Sequence, residues 1–219
     1  PGYQGVGRVG RGGMGVVYLA TRVSDGTKVA LKTIALGTSA PQRDIQRFLR
    51  EANILRQLQH PNIVTFHDMG RQGDTLYFVM DYVAGTDAGD LLVRQGPLRI
   101  GRAVRLVCQA LEALHHAHAQ GFVHRDVKPA NLLVSGESGR EICKVADFGL
   151  ARVYHASVLS GITMLGESGG TPDYMPPEQI THYREVRPTA DQYAAAATLY
   201  RLLAGKHLYD FSGLSPAKR

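Results

Sequence analysis

Residues 122–133 read FVHRDVKPANLL and place five polar side chains between two apolar pairs. Phe122 and Val123 precede the polar residues, and Leu132 and Leu133 follow them. Apolar flanks are typical of a segment whose two ends are anchored in a hydrophobic core. A His, an Arg, an Asp, a Lys and an Asn held rigidly between such anchors indicate a functional site. The alternative is an ordinary surface loop with solvated charges.

The composition is that of an ordinary globular protein. Of the 219 residues, 44% are hydrophobic and 20% are charged, as in ordinary soluble proteins. The length is enough for one domain or for two lobes. The net charge of +6 comes from scattered basic residues, so we expect no nucleic-acid partner. No apolar run is long enough for a membrane span. The two cysteines predict neither a disulfide framework nor a metal motif, and we expect Cys108 to be buried in an apolar helix.

The first part of the chain is predicted to be rich in strands. Residues 1–36 are rich in Gly and Val and include the clear strand KVALKTI. Apolar residues recur at helical spacing over residues 42–59. NIVTFHD and TLYFVMDYV then predict two more strands around an RQGD turn.

The second part is predicted to be mainly helical. AGTDAG breaks the pattern between the lobes, and helices are predicted over residues 100–119 and 189–204. The first of these helices would have one apolar face, made of Ala103, Leu106, Val107, Ala110, Leu111 and Leu114. NLLV and EICKVA predict a hairpin after the opening motif. We therefore expect an α+β fold with a strand-rich lobe of residues 1–83, containing one long helix, and a helical lobe of residues 84–219.

The stretch VGRGGMGVV indicates a phosphate site. Gly10, Gly12 and Gly15 fit the pattern G-x-G-x-x-G, and Val17 follows. Glycines let a backbone turn tightly and approach a phosphate closely. A dinucleotide fingerprint would require a helix directly after the loop, whereas the β-rich GVVYLATRV follows here. A strand–loop–strand flap over a nucleotide fits better, and a plain glycine-rich hairpin remains the alternative.

Lys32 and Glu51 are predicted to form an ion pair. Lys32 ends VALK and shares a strand face with Ala30, whose small side chain would leave room for a purine. Glu51 lies three residues after Phe48 and four before Leu55, which places it on the apolar face of its predicted helix. A buried carboxylate needs a partner, and Lys32 is the natural one. The alternative is that Glu51 lies at the edge of this face and reaches water.

Together these segments resemble the eukaryotic-type protein kinases. Their amino-acid sequences are most similar to those of bacterial serine/threonine kinases. The Gly-rich loop, the strand lysine and the helix glutamate are followed by HRDVKPAN, which fits H-R-D-x-x-x-x-N. An intact DFG at residues 147–149 and a PPE at 176–178, in place of A-P-E, complete the order across residues 3–210. The resemblance implies a two-lobed kinase fold. Lys128, two residues after Asp126, is the family's mark of serine/threonine specificity.

The resemblance implies a role for each matched residue in phosphoryl transfer. Backbone N–H groups of residues 10–15 would cover the phosphates of ATP. Lys32 would hold the α- and β-phosphates, and Glu51 would hold Lys32. Asp126 would accept or orient the proton of the substrate hydroxyl, and Lys128 would neutralise charge on the transferred group. His124 is expected to be a packing residue.

The resemblance also implies a metal site and an adenine site. Asp147 and Asn131 would each hold a Mg²⁺ ion through oxygen atoms, and Mn²⁺ would suit the same ligands. Asp87 aligns with the acid that contacts the ribose, although Asp90 in the same stretch is an alternative. The expected ATP-binding residues are Val9, Gly10, Gly12, Gly15, Val17, Ala30, Lys32, Met80, Asp81, Val83, Asp87 and Leu133.

Regulation by phosphorylation is expected between residues 149 and 171. Thr163 is the preferred site, because it lies seven residues before Gly170, a placement that resembles the regulatory threonine of bacterial relatives. A phosphate there could bind Arg125 and expose a peptide platform that begins at Thr171. The alternatives are that Ser157, Ser160 or Ser168 is the site, or that Thr163 is an ordinary loop residue.

The sequence departs from the family near its end. DQYAAAA replaces the usual D-x-Y-S-x-G, although Asp191 is kept and should brace the catalytic loop. The last helix has almost no polar face, and a helix that is apolar all round is buried on every side. The chain continues for only 14 residues after Gly205, so we expect an incomplete helical lobe or one that a partner completes.

The expected function is that of an ATP- and Mg²⁺-dependent serine/threonine protein kinase that acts on protein substrates and on itself in trans. We expect a cytoplasmic location, including the cytosolic part of a larger, membrane-anchored protein. One alternative is a pseudokinase scaffold that binds nucleotide. The other is a kinase-like phosphotransferase that acts on small molecules.

Overall fold

The first layer of the fold is a five-stranded antiparallel sheet. The computed structural model describes residues 2–12, 15–35, 45, 49, 53–148, 172–181 and 186–209. The strands are β1 (Tyr3–Gly12), β2 (Gly15–Arg22), β3 (Lys28–Ala35), β4 (Phe66–Gln72) and β5 (Thr75–Asp81), in the order β1-β2-β3-β5-β4. The predicted strands are therefore confirmed, although β4 begins four residues after the predicted Asn62.

The late start of β4 has a physical cause, because the residues before it pair with a second sheet. That sheet contains β6 (Gly85–Asp87), β7 (Leu132–Ser135) and β8 (Ile142–Val145). Ile63 forms a parallel bridge with Val145, and the Val64 N–H donates to the Val145 carbonyl at 2.9 Å. The predicted hairpin is confirmed as β7 and β8, which pair antiparallel.

The helices are α1 (Ala88–Gln95), α2 (Ile100–Ala119), α3 (Pro177–Thr181) and α4 (Pro188–Ala204). The bounds of α2 match the prediction, and those of α4 differ by one residue at its start. Helix α1 was not expected from the sequence, because the Gly and Asp residues of AGTDAG predict a break. Its Asp87 side chain instead caps α1 by accepting from the Asp90 N–H at 2.9 Å. Gly96, with φ of 72°, follows the last residue of α1.

Helix α2 is amphipathic, as predicted, but its buried face is narrower than the sequence suggested. Ala103, Leu106, Val107, Ala110 and Leu114 are buried. Leu111, which the sequence placed on the same face, is 41% exposed, and the prediction that Cys108 is buried is wrong. Both residues lie on the side of α2 that turns toward solvent.

One continuous core joins the first sheet to the helices. It includes Phe78 and Met80 from β5, Leu106 from α2, and Leu202 from α4. The Leu98 N–H donates to the Leu202 carbonyl at 2.8 Å, which fixes the end of α4 against the segment before α2.

Part of α4 is uncovered among the described residues, as expected for an incomplete helical lobe. Gln192 and Ala196 are exposed, and Tyr193 and Leu199 are only half-buried. The apolar residues Ala194, Ala195, Ala197 and Leu202 are buried.

Most of the helix predicted over residues 42–59 lies outside the described residues. Ile45 and Leu49 are helical, and residues Ile54–Gln57 form a 3₁₀ turn. In the ranges that the structure describes, no helix is both long and apolar enough to cross a bilayer.

We expect Leu106→Ala to lower the free energy of unfolding by about 2–5 kcal/mol, because Leu106 is only 1% exposed and its truncation leaves a cavity. Leu111→Ala makes the same chemical change on the exposed side of the same helix. It should cost less than about 1 kcal/mol. Urea denaturation followed by circular dichroism measures both. Equal losses in the two variants would contradict the core described above.

Candidate active site

The loop between α2 and β7 brings three predicted site residues into direct contact. The Lys128 ammonium lies 2.9 Å from Oδ2 of Asp126. The Asn131 side-chain amide donates to the Asp126 carbonyl at 2.7 Å and to Asp126 Oδ2 at 3.0 Å. A base candidate, a cation and an amide therefore form one polar cluster, as the opening stretch of sequence predicted.

The buried side chain of His124 holds this loop through two hydrogen bonds. It is fully buried, and its Nδ1 accepts from the Asp126 N–H at 3.2 Å. Its Nε2 lies 2.9 Å from the Ala146 carbonyl. This pair of bonds fits the neutral tautomer with the proton on Nε2. The ring also packs edge-on against Phe148, with centroids 4.6 Å apart.

Asp191 fixes the start of the loop through its buried carboxylate. Oδ2 accepts from the His124 N–H at 2.8 Å, and Oδ1 accepts from the Arg125 N–H at 2.7 Å. The side chain of His118 reaches Oδ2 at 2.7 Å, and Gln179 donates to the Arg125 carbonyl at 2.6 Å. Arg125 has a backbone φ of 70°, which is unfavourable for any residue other than Gly. These bonds hold it in that conformation.

The bracing role of Asp191 was expected from the sequence, whereas the roles of His118 and Gln179 were not. His118 lies in the stretch HHAHAQGFVH, whose histidines have no zinc spacing and would ordinarily be solvated on a helix. Its position at the margin of the buried face of α2 is the feature of the sequence that could have indicated a buried contact. Gln179 carried no signal, because its partner is a backbone carbonyl 54 residues away in the chain.

Lys32 on β3 forms an ion pair with Asp147, which follows β8, across the cleft between the first sheet and the second. Its ammonium lies 2.7 Å from Oδ2 of Asp147, and Lys32 is buried whereas Asp147 is half-buried. Asp147 has φ of 63°. Burial raises the pKa of Asp147, but the charge and the hydrogen bond of Lys32, with a contribution from Lys128, hold it below the usual carboxyl value.

The predicted partner of Lys32, Glu51, lies outside the described residues, as do Thr163 and Thr171. The Lys32–Glu51 pair therefore stays a prediction. In the described part of the chain the ammonium has the Asp147 carboxylate as its partner.

The predicted adenine-binding side chains lie close to one another. Ala30 pairs with Met80 across β3 and β5, and both are buried. Val17, Val83 and Leu133 are partly buried and pack against the same core. The first sheet and β7 therefore present apolar side chains to one region, as a flat aromatic ligand would require.

The Gly-rich stretch lies on two paired strands, with Gly10 and Gly12 in β1 and Gly15 in β2. The expected strand after the loop is confirmed. Gly15 has φ of +151°, and a Cβ there would lie 1.9 Å from the Thr33 carbonyl oxygen. Only glycine fits this close approach between β2 and β3. Val9, by contrast, is half exposed on β1.

The chemistry of Asn131 and Asp147 fits a Mg²⁺ ion. Magnesium prefers carboxylate and amide oxygens, and the Asn131 amide nitrogen is used by Asp126, which leaves the amide oxygen to act as a ligand. The Ala146 N–H donates to the Asn131 carbonyl at 2.9 Å, so the two ligand segments are joined next to Asp147. Among the described residues, no three His, Cys, Asp or Glu side chains form a metal cluster. A magnesium ion held by Asp147 and a second one held by Asn131 would therefore complete their coordination with oxygens of the nucleotide and of water.

Comparison with known proteins places these features in a family. Residues 3–215 match the protein kinase domain. The chain is 38% identical to the serine/threonine-protein kinase pkn2 of Myxococcus xanthus over 92% of its own length and 24% of that protein. It is 40% identical to the serine/threonine-protein kinase PknE of Mycobacterium bovis, over 94% of its length and 35% of that protein. The chain thus spans a quarter to about a third of these relatives.

Solved structures give the same result. The crystal structure of the Mycobacterium tuberculosis PknI kinase domain superposes with a TM-score of 0.75 at 33% identity, covering all of this chain and 82% of that one. The crystal structure of Rad53 residues 1–466 in complex with AMP-PNP superposes with a TM-score of 0.77 at 26% identity, covering 97% of this chain and 51% of that one. The two-lobed fold class predicted from the sequence is therefore confirmed, and the chain belongs to the protein kinase domain family, among bacterial-type serine/threonine kinases.

Proposed function

We propose that this protein transfers the γ-phosphate of ATP to Ser and Thr hydroxyls of protein substrates. One observation carries the proposal. The buried Lys32 reaches Asp147 at 2.7 Å across the cleft, beside a loop in which Asp126, Lys128 and Asn131 contact one another. Phosphoryl transfer needs positioned cations, an oxygen-ligated metal and a base for the hydroxyl proton, and these residue types supply each of them.

The loop residues would handle the acceptor hydroxyl. Asp126 Oδ2 accepts from Asn131 and Lys128 at 3.0 and 2.9 Å, so the direction of this carboxylate is fixed before a substrate arrives. Its role is to orient the hydroxyl and to accept its proton. Lys128 stands beside Asp126 and would neutralise charge on the phosphoryl group as it transfers.

The residues of the cleft would hold the nucleotide. Lys32 would bind the α- and β-phosphates, with Glu51 as its second partner, and the backbone of residues 10–15 would cover them. Asp147 and Asn131 would hold Mg²⁺, which when bound neutralises phosphate charge and so lowers the cost of bringing the acceptor close. Asp87 keeps one carboxylate oxygen on the cap of α1 and would offer the other to the ribose.

The remaining expectations belong to the same proposal. Protein substrates are what the serine/threonine kinase relatives suggest, and self-phosphorylation in trans would use the same site. We place the activity in the cytoplasm, where ATP and Mg²⁺ are abundant. We also propose the division into lobes at residue 83, which lies between β5 and β6.

Asp126→Asn should lower kcat by about 10²–10⁴-fold, because the amide cannot accept the hydroxyl proton. The shape of the site is kept, so the affinity for ATP should change little. Radiolabelled phosphate transfer to a Ser-containing acceptor measures kcat, and calorimetry measures ATP binding. Asp74→Asn, on the exposed turn between β4 and β5, is the control. An unchanged kcat in Asp126→Asn would show that Asp126 is not the base.

Lys32→Met should raise the pKa of Asp147 above the ordinary carboxyl value of 3.8, because burial would then act without the opposing cation. NMR titration of the carboxyl carbon measures this shift. Lys28→Met, an exposed lysine on the same strand, is the control and should leave the pKa unchanged.

The same ion pair sets the pH dependence of stability. The lowered pKa of Asp147 means that the folded state gains stability above pH 3.8 and loses it as the pH falls below that value. The difference in unfolding free energy between the wild type and Lys32→Met should therefore shrink as the pH falls from the raised pKa of Asp147 in the variant through its lowered pKa in the wild type. A difference that is constant with pH would contradict the pairing.

Phosphorylation of Thr163 is proposed to activate the protein. A phosphate would add about −1.5 to −2 charges and would bind Arg125, whose backbone is held by Asp191 and Gln179. Thr163→Ala should then reduce kcat, with Ser157→Ala as the control, and mass spectrometry of the active protein should find the phosphate on Thr163. Full activity of Thr163→Ala, with no phosphate on Ser157, Ser160 or Ser168, would exclude this mechanism.

A further inference from the structure

Strand β4 has a β-bulge next to the end of β5. Phe66 pairs with Met80, and Asp68 pairs with Val79. Met80 and Val79 are consecutive in β5, so His67 is an extra residue of β4, outside the pairing register, that forms a bulge. Bulges of this kind occur at sheet edges, and they turn a side chain to a new direction. Strand β4 is the edge of the sheet.

The bulge directs His67 to the last residue of β5. Its Nε2 lies 2.7 Å from Oδ1 of Asp81. The other oxygen of the same carboxylate, Oδ2, lies 3.9 Å from the ammonium of Lys144 on β8. The first sheet and the second sheet therefore each send one side chain to the Asp81 carboxylate.

Lys144 also reaches the backbone of the segment before β4. Its ammonium donates to the Ile63 carbonyl at 3.3 Å, and the Asp81 N–H donates to the Thr65 carbonyl at 2.9 Å. The end of β5 is thus tied by its backbone to Thr65 and by its side chain to β4 and β8. Residues 82–84, which join the two sheets, leave from this fixed point.

We propose that His67 and Lys144 are positioning residues for nucleotide binding, and that they act through the Asp81 carboxylate. This inference rests on the proposed function, and it takes Asp81 and Val83, two of the expected ATP-binding residues, to meet the adenine through their backbone. A carboxylate held from both sheets fixes the direction in which this backbone enters the cleft. The two side chains touch neither the phosphates nor the acceptor, so they should affect ATP affinity and not the transfer step.

The size of the effect follows from exposure. The side chains of His67, Asp81 and Lys144 are 31%, 34% and 23% exposed, and partly exposed ion pairs are screened by water. We therefore expect each loss to weaken ATP binding by about two- to fivefold.

The experiment compares variants that remove each contact with variants that keep it. His67→Ala and Lys144→Met remove a contact, whereas His67→Gln and Lys144→Arg keep a donor at the same place. Calorimetry gives the Kd for ATP, and steady-state kinetics separate KM for ATP from kcat. The first pair should raise Kd and KM about two- to fivefold at constant kcat, and the second pair should restore wild-type values. Arg56→Met is the control, because it breaks the exposed pair with Asp68 beside the bulge.

A double-mutant cycle tests whether Lys144 acts through Asp81. Asp81→Asn keeps the shape of the side chain and removes its charge. Lys144→Met should have no further effect on Kd in the Asp81→Asn background, since the partner charge is already absent. A full additional effect would show that Lys144 acts by another route. This cycle tests Lys144 alone, so His67→Leu, which also removes the donor, takes the place of His67→Ala if that variant fails to fold.

The outcomes separate the two proposals. A wild-type protein that binds no ATP and transfers no phosphate would overturn the proposed function. A wild type that does both, with Kd unchanged in Lys144→Met and in His67→Ala, would overturn the positioning role alone. A fall in kcat at constant Kd would likewise overturn it, because the contacts would then act on the transfer step.

Discussion

The loop that carries the catalytic candidates depends on one buried carboxylate. Asp191 is fully buried, and an ionised carboxylate in that position is tolerated only when hydrogen bonds satisfy its oxygens. Two of its donors are backbone N–H groups, those of His124 and Arg125, and the third is the side chain of His118. Because a buried acceptor without donors would be costly, the same bonds that satisfy Asp191 force the loop to begin in one conformation.

That constraint passes along direct contacts to the metal-binding candidate. The ring of His124 joins the Asp126 N–H to the Ala146 carbonyl, and Ala146 directly precedes Asp147. Arg125 and Asp147 are the only described residues other than glycine with positive φ, and they lie at the two ends of this set of contacts. Backbone strain of about 1–3 kcal/mol at such positions persists only where surrounding bonds determine the conformation. Here those bonds aim Asp126 and Asp147 toward the same cleft.

The sequence predicted the parts of this arrangement that depend on local pattern. Strand alternation placed Lys32 beside Ala30, and helical periodicity placed the buried face of α2. It could not predict contacts that depend on distant packing, such as Gln179 with the Arg125 carbonyl or the bulge at His67. Helix α1 was missed because Gly and Asp, which usually mark turns, here supply a cap and the first turn of a helix. Leu111 was misplaced because periodicity gives the direction of a side chain but not what lies in front of it.

The two sheets are joined at a second place besides residues 82–84, and this limits how the cleft can open. The Val145 N–H donates to the Asn62 carbonyl at 2.8 Å, and the Asn62 side chain donates to the Cys143 carbonyl at 2.8 Å and to Gln109 at 3.0 Å. Asn62 is buried, so breaking these bonds would leave several buried polar groups without hydrogen-bond partners. A relative movement of the two sheets would therefore have to break the buried hydrogen bonds of Asn62 as well as the contacts of Asp81 with Thr65 and Lys144. The same contacts that satisfy these polar groups hold the two sheets in one arrangement.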